Sequence, residues 1–391
     1  MSPPGTGAAV TGVGYSQIGR RLGRSVLSLA CESGLAAIAD AGLSVDDIDG
    51  YCAYPGAVGA GPGFCGPSSY EVIDSLGLLT SWHAAGVEVP GQLGAVMIAA
   101  MAVGAGMARH VLVQRTVAEA TYGLTSHNQA GRGGIGGDFA FLLPFNAVSA
   151  ANWLALYATR YMHESGLRTE QLAWVALNGR RHAARNPRAV VREPLTMEQY
   201  LESRMISTPF RLYDCDIAVD GSTSVVVSSL DAVSGLRHQP AVIESMGAAM
   251  HGRPLWDQWE DLTTTASRDA GRQLWSRTSY APADVDVAEL YDGFSFLTIT
   301  WLEALRLVGR GESGDFLEGG ANTDLDGRLP LNTWGGQLSG GRLHGFPFLA
   351  EACQQLWNEA GERQARKPVN VVAVAAGGGN TCGCLLVRRP D

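Results

Sequence analysis

A chain of 391 residues with 46% apolar side chains, 17% charged ones and 50 glycines has ample material for large buried cores and does not read as disordered. A net charge of −9, with no basic block to offset it, argues against a general affinity for nucleic acid or anionic membrane. No apolar run reaches the length of a membrane span, so no membrane insertion is expected; the longest run, at 95–108, is broken by glycine and suits a buried helix.

The opening MSPPGTGAAVTGVGYS has no basic region leading into a long apolar core, so it does not read as a secretory signal. A strand is expected at 8–13, then an alanine-rich helix at about 25–42 closed by Gly42, then the acidic SVDDIDGYCAY leading into a second strand. After an irregular stretch come an apolar helix at about 91–108 and a strand at 110–113. The same order returns about 230 residues later: AVIESMG from Ala241, a polar helix at about 262–278, APADVDVAELYDGF as an echo of SVDDIDGYCAY, a helix at about 345–362, a strand at 369–374, three glycines and a last strand at 382–387. Each copy reads as a β-α-β-α-β unit, which implies a mostly parallel sheet covered on both faces and a five-layered α/β/α/β/α sandwich. The halves are residues 1–240, with a long insertion at about 118–220, and residues 241–391.

Within the insertion, GRGGIGGDF at 131–139 lacks the P-loop lysine and the dinucleotide-binding spacing, and reads as a mobile loop. Trp153, Tyr157 and Tyr161 recur at helical spacing, as core, subunit contact or the lining of an apolar acyl pocket. Seven cysteines, an odd number at irregular spacing, suggest free thiols and a cytoplasmic location. Cys382 and Cys384 would share one face of a strand, but further ligands are not evident, so no metal is expected. Asp214 and Asp216 read as turn-setting residues before a strand, and six scattered histidines form no ligand spacing; His127, beside the glycine-rich segment, is the least improbable exception.

The duplicated halves, ELYDGFSF, LNTWGGQLSGGRLHG and the terminal VVAVAAGGGNTCGCLLV together resemble the thiolase superfamily over essentially the whole chain. The resemblance is greatest to its lipid-transfer-protein, SCP-x-like branch, and within it to the Ltp2-type aldolases of steroid side-chain degradation. A thiolase keeps its nucleophilic cysteine at the start of the first half's buried helix, where alignment places Val89; no cysteine occurs between Cys65 and Cys215. The second thiolase cysteine, two residues before the glycine triplet, is also missing, Ala375 and Ala376 standing there. Cys382 beyond the triplet is a weaker substitute than a packing residue.

The resemblance implies a carbon–carbon lyase that cleaves a β-hydroxyacyl-CoA by retro-aldol chemistry to a ketone and a short acyl-CoA such as propionyl-CoA, with coenzyme A as part of the substrate and no cofactor bound to the chain. Tyr291, where thiolases present an asparagine, becomes the first catalytic candidate, working through Asp292 or His344, since a free phenol titrates near ~10. The thiolase glycine-histidine-proline motif corresponds to Gly341-Arg342-Leu343, so Arg342 replaces the catalytic histidine; Arg342 would bind a substrate oxygen or support a neighbouring charge, and His344 would carry a proton near neutral pH. The family's second tyrosine has no counterpart here, there being no tyrosine between 292 and 391. Gly377, Gly378 and Gly379 would supply oxyanion-binding amides, or simply a strand-to-strand turn. A homodimer and an OB-fold, zinc-ribbon (DUF35-type) partner are implied. A non-catalytic acyl-CoA-binding or scaffold subunit, and a cysteine-independent acyltransferase, are the competing readings.

Overall fold

The computed structural model describes residues 6–57, 63–122, 139–147, 149–251 and 260–390; His127 and residues 131–138 of the glycine-rich segment lie outside them. The first half comprises β1 (Ala8–Tyr15), α1 (Val26–Asp40), β2 (Gly50–Tyr54), α2 (Ser69–Leu76), β3 (Trp82–Ala85), α3 (Gly94–Gly104) and β4 (His110–Ala118). The insertion carries α4 (Ala150–Ser165), α5 (Thr169–Ala183) and the small hairpin β5 (Met205–Ser207) and β6 (Phe210–Arg211), before β7 (Asp220–Ser229) completes the half. The second half runs β8 (Ala241–Met250), α6 (Ser267–Ser276), β9 (Val287–Leu290), α7 (Ser295–Ala304), α8 (Phe346–Trp357), β10 (Val371–Gly378) and β11 (Thr381–Arg388).

The strand order is β3-β2-β4-β7-β1 in the first half and β9-β10-β11-β8 in the second. The two join where β1 pairs with β8 over only two residue pairs, Ala9 with Val242 and Val10 with Ala241. Helices α3 and α8 lie between the two sheets, each touching strands of both; α1 covers the outer face of the first, and α6 the outer face of the second. This is the α/β/α/β/α thiolase fold. The alternation of apolar strands with helices was legible because α3 is buried on nearly every side, which forces apolar residues around its whole circumference.

The expectation of a mostly parallel sheet is corrected. Only β2 with β3, β2 with β4 and β9 with β10 are parallel; the five other pairings are antiparallel. One of the five reversals is local: β10 returns directly as β11 around Gly379 and Asn380 in a tight hairpin. The stretch read as irregular holds two elements, the edge strand β3 and the helix α2. The helix announces itself by a capping box in which Ser68 accepts from the Glu71 N–H and Glu71 accepts in return from the Ser68 N–H.

Candidate active site

The parallel strands of both halves bring their C-terminal ends to one place: Tyr54 ends β2, Arg115 lies towards the end of β4, Tyr291 follows β9, and Gly377 and Gly378 end β10. Ligands collect at such ends because the chain leaves the sheet there in loops free to diverge. The segments just before the two central helices, Gly91-Gln92 and His344-Gly345, meet at the same point. A Cβ on Gly345 would lie 2.6 Å from Ala376 and 3.6 Å from Gln92, so the approach requires a glycine. The resulting cleft of about 530 Å³ is lined by Tyr291, Arg342, His344, Gly377 and Gly378 together with Val89, Gln92, Trp153 and Asp216.

Five of the seven predicted site residues therefore share one wall. Asp292 and Gly379 do not line it. Asp292 is buried; its Oδ1 accepts the Gln337 N–H at 2.8 Å, and its carboxylate fills the space left by Gly336, where a Cβ would stand 1.9 Å from Oδ2. It fastens the π turn Gly336–Gly340 and is a positioning group here, not a proton relay in the cleft. Gly379 belongs to the β10–β11 turn, and its carbonyl accepts from Ala266.

Tyr291 is 7% exposed, its hydroxyl 3.5 Å from Gln92 Nε2. Burial, then the charge of Asp216, push the phenol well above its ordinary value, against smaller opposing effects of Gln337 and Arg342. It is thus a neutral O–H at physiological pH. Its ring occupies space that only Gly293 leaves open: a Cβ there would lie 2.7 Å from Tyr291 Cε1.

Arg342 donates from Nε to Glu119 at 2.7 Å and from Nη1 to Asp216 at 3.0 Å, so it supports neighbouring charge. Asp216, read from sequence as setting a turn, is a cleft residue. Its carboxyl is pushed up to about 6 by burial, with Arg342 pulling it back, which leaves it ionised near neutrality and placed for a general base. Backbone bonds secure this corner: Asp216 N–H to Gly293 O at 3.2 Å, and Arg342 N–H to Ile217 O at 2.8 Å. Asp214, two residues earlier, is structural; it accepts from the Tyr200 and Ser295 hydroxyls at 2.7 and 2.6 Å and ties the insertion to the start of α7.

His344, read from sequence as a proton carrier near neutral pH, is buried beside Arg115. Its Nδ1 accepts from Arg115 Nη2 at 2.8 Å, and burial with the charges of Arg115 and Arg342 holds it well below the ordinary histidine value. The ring is neutral, and its one proton sits on Nε2. Its backbone N–H donates to Gln337 Oε1 at 2.9 Å.

None of the seven thiols lines the cleft. Val89 does, at the position where the resemblance puts the nucleophile. Cys382 is wholly buried in β11, and burial first, then Cys384, hold its thiol protonated. The aromatic stripe of α4 divides: Tyr157 and Tyr161 are core, while Trp153 reaches the cleft, its Nε1 donating to Ala147 O at 2.7 Å. Asp216 and Arg115 were the residues sequence reasoning missed; a charged residue inside the strand that follows the apolar helix was the available signal for the second.

A thiolase fold whose site offers a carboxylate, a phenol and a neutral imidazole but no thiol defines an enzyme of carbon–carbon bond chemistry without a cysteine acyl-enzyme. The family model described as Thiolase C-terminal domain-like matches residues 248–387. The steroid side-chain-cleaving aldolase of Thermomonospora curvata is 36% identical over 97% of each chain. The 17-hydroxy-3-oxo-4-pregnene-20-carboxyl-CoA lyase of Mycobacterium tuberculosis is 34% identical over 89% of this chain and 91% of that one. The solved Ltp2-ChsH2(DUF35) aldolase superposes with a TM-score of 0.88 at 33% identity over 98% of each chain. The chain belongs to the thiolase superfamily, in its branch of steroid side-chain-cleaving aldolases, and is a carbon–carbon lyase.

Proposed function

We propose that this lyase takes a β-hydroxyacyl-CoA with a bulky, steroid-like acyl group and splits its α–β carbon bond to give a ketone and a short acyl-CoA such as propionyl-CoA. The observation that carries the reading is the cleft itself, where Asp216 is held ionised by Arg342 beside a neutral Tyr291, with no thiol on the wall. The β-hydroxyl proton passes to Asp216, directly or through the Tyr291 hydroxyl. The oxygen's electrons form the ketone carbonyl, and the electrons of the broken carbon–carbon bond move onto the thioester as an enolate. The His344 Nε2–H, with amides at Gly377 and Gly378, meets the negative charge growing on the thioester oxygen. Protonation of the enolate carbon then releases the short acyl-CoA. Coenzyme A enters only as part of the substrate.

Room for a bulky acyl group adjoins the site. A second chamber of about 470 Å³, lined mainly by alanine, valine, glycine and isoleucine between the ends of β2 and β3 and helix α3, shares Val87 and Val89 with the catalytic cleft. Volumes of this order suit compact multi-ring ligands.

The chain works as a homodimer with a DUF35-type partner in the cytoplasm. Strand β3 supports the first point, being the outer strand of its sheet and bonded, among the described residues, to β2 alone, which leaves an edge for a second copy. The relative whose solved structure carries the DUF35 label supports the second.

The test is product analysis with and without that partner. A steroid-type β-hydroxyacyl-CoA should yield a ketone and a short acyl-CoA in equal amounts, without added free CoA. Cleavage of a β-ketoacyl-CoA that depends on free CoA would replace this reading with a thiolase; binding without turnover in both preparations would replace it with a scaffold.

A further inference from the structure

Arg115 is fully buried in β4, between Gln114 and Thr116, and among the described residues its guanidinium has no carboxylate hydrogen-bond partner. Nη1 donates to the carbonyls of Phe64 at 2.6 Å and Thr116 at 3.2 Å, with Tyr54 O at 3.4 Å. Its central carbon lies 4.5 Å from the ring centre of Phe64 and 5.3 Å from that of Tyr54. The remaining donors converge on one atom, His344 Nδ1, from Nη2 at 2.8 Å and from Nε at 3.3 Å. Glu119, the carboxylate whose field reaches Arg115, accepts its hydrogen bond from Arg342.

A buried cation without a carboxylate is costly to retain, so its retention points to a use. Arginine only donates, so Nδ1 of His344 must accept. Of the three forms of the ring, this contact permits one: neutral, with the hydrogen on Nε2, the nitrogen remote from Arg115 on a ring that lines the cleft. Arg115 and Arg342 are the charged groups acting on the ring; Asp216, Tyr54 and Tyr291 share the cleft wall, and the Phe64 ring packs edge-on at 5.1 Å. The His344 backbone is held as well, at φ +50 and tied to Gln337. Main chain and ring are therefore both fixed before any substrate arrives.

We infer that Arg115 is a positioning residue for the carbon–carbon cleavage, locking His344 as its Nε2–H tautomer and polarising that N–H so that it donates to the thioester oxygen as the enolate forms. The inference rests on the retro-aldol reading above. It assigns the buried guanidinium the work that a carboxylate does in orienting many histidines, with opposite effect: a carboxylate favours a proton on the near nitrogen, and the guanidinium forbids one.

Two measurements decide it. In the intact wild-type protein, long-range proton–nitrogen spectra of ¹⁵N-histidine-labelled material, with the His344 signals found by comparison with His344→Gln, should show an Nε2–H ring that does not titrate between pH 5 and 8. Arg115→Met should lower kcat about 10²–10³-fold, the loss associated with one oxyanion donor, with KM little changed. In that variant the ring should no longer be confined to the Nε2–H tautomer, although burial and Arg342 still oppose its protonation, and Arg115→Lys should keep the Nε2–H form. An Nδ1–H tautomer, a wild-type ring that titrates near neutrality, or an Arg115→Met enzyme with unchanged kcat overturns the inference. If Arg115→Met does not fold, the wild-type spectrum decides alone. Absence of any β-hydroxyacyl-CoA cleavage by the wild-type protein with its partner removes the retro-aldol reading, and the donor role with it, whatever the tautomer.

Discussion

Arg342 donates to Asp216 at 3.0 Å inside a cleft where burial drives the Asp216 carboxyl up to about 6, so the ion pair opposes burial at the carboxylate proposed as the base. Asp216 must be ionised to accept a proton. kcat/KM should therefore fall tenfold per unit below about pH 6 and level off above it. Asp216→Asn should remove that acid limb and lower kcat by roughly 10²–10⁴-fold. A wild-type profile flat down to pH 5 would show that some other group is the base.

Tyr291→Phe removes the hydroxyl that faces Gln92 and should lower kcat by roughly 10²–10⁴-fold, with an unchanged melting temperature. Gly293→Ala reaches the same group indirectly. The new methyl would lie 2.7 Å from Tyr291 Cε1, so the ring must move, and a displacement near 1 Å costs about 10²-fold. Full activity in Tyr291→Phe would remove the tyrosine from the mechanism; full activity in Gly293→Ala would mean that its position is not critical.

Because no thiol lines the cleft, cleavage by the wild-type enzyme should survive iodoacetamide at concentrations that inactivate a thiolase. Val89→Cys puts a thiol on the cleft wall and should make activity sensitive to the same reagent, with saturating substrate protecting. Mass spectrometry of the labelled peptide identifies the site. Inactivation of the wild-type enzyme by labelling at a native cysteine other than Cys52, which lines the adjoining chamber, would contradict the geometry.

The Asp292 carboxyl is raised by burial to about 7, against the hydrogen bonds it accepts from the π turn. The folded chain therefore binds this proton more tightly than the unfolded chain, whose carboxyl titrates near ~3.9. The resulting stabilisation is fully present below that value and is lost as pH rises through about 7. Asp292→Asn keeps an oxygen acceptor for Gln337 without the charge, so its urea midpoint should gain on the wild type steadily between pH 4 and 7.5. A constant difference across that range would place the Asp292 ionisation elsewhere.

Ala85, exposed on the edge strand, borders the apolar chamber. Ala85→Phe should narrow it and depress kcat/KM for bulky β-hydroxyacyl-CoA substrates by roughly 10–200-fold, the range for small steric changes in an apolar pocket, while sparing short-chain ones. Equal loss on both would mean that the acyl group lies elsewhere.

Sequence by itself determined the duplicated architecture, because strands and helices buried on most sides are rich in apolar residues, and such runs recur in the same order in both halves. It also determined the missing thiol: an element that is absent needs no coordinates. Tyr291, Arg342, His344, Gly377 and Gly378 were legible because each stands in a short segment with a recognisable pattern. Sheet direction was less so, since an apolar strand looks alike whichever way its neighbour runs. The roles within the site were decided by tertiary structure alone. Asp216 becomes a cleft carboxylate only when Arg342, 126 positions away, folds against it. His344, proposed as the donor, is held neutral by burial together with Arg115, 229 positions away, and Arg342. Ionisation and tautomer depend on which charges lie within a few ångströms and how little water separates them, and that information exists only once the chain has closed on itself.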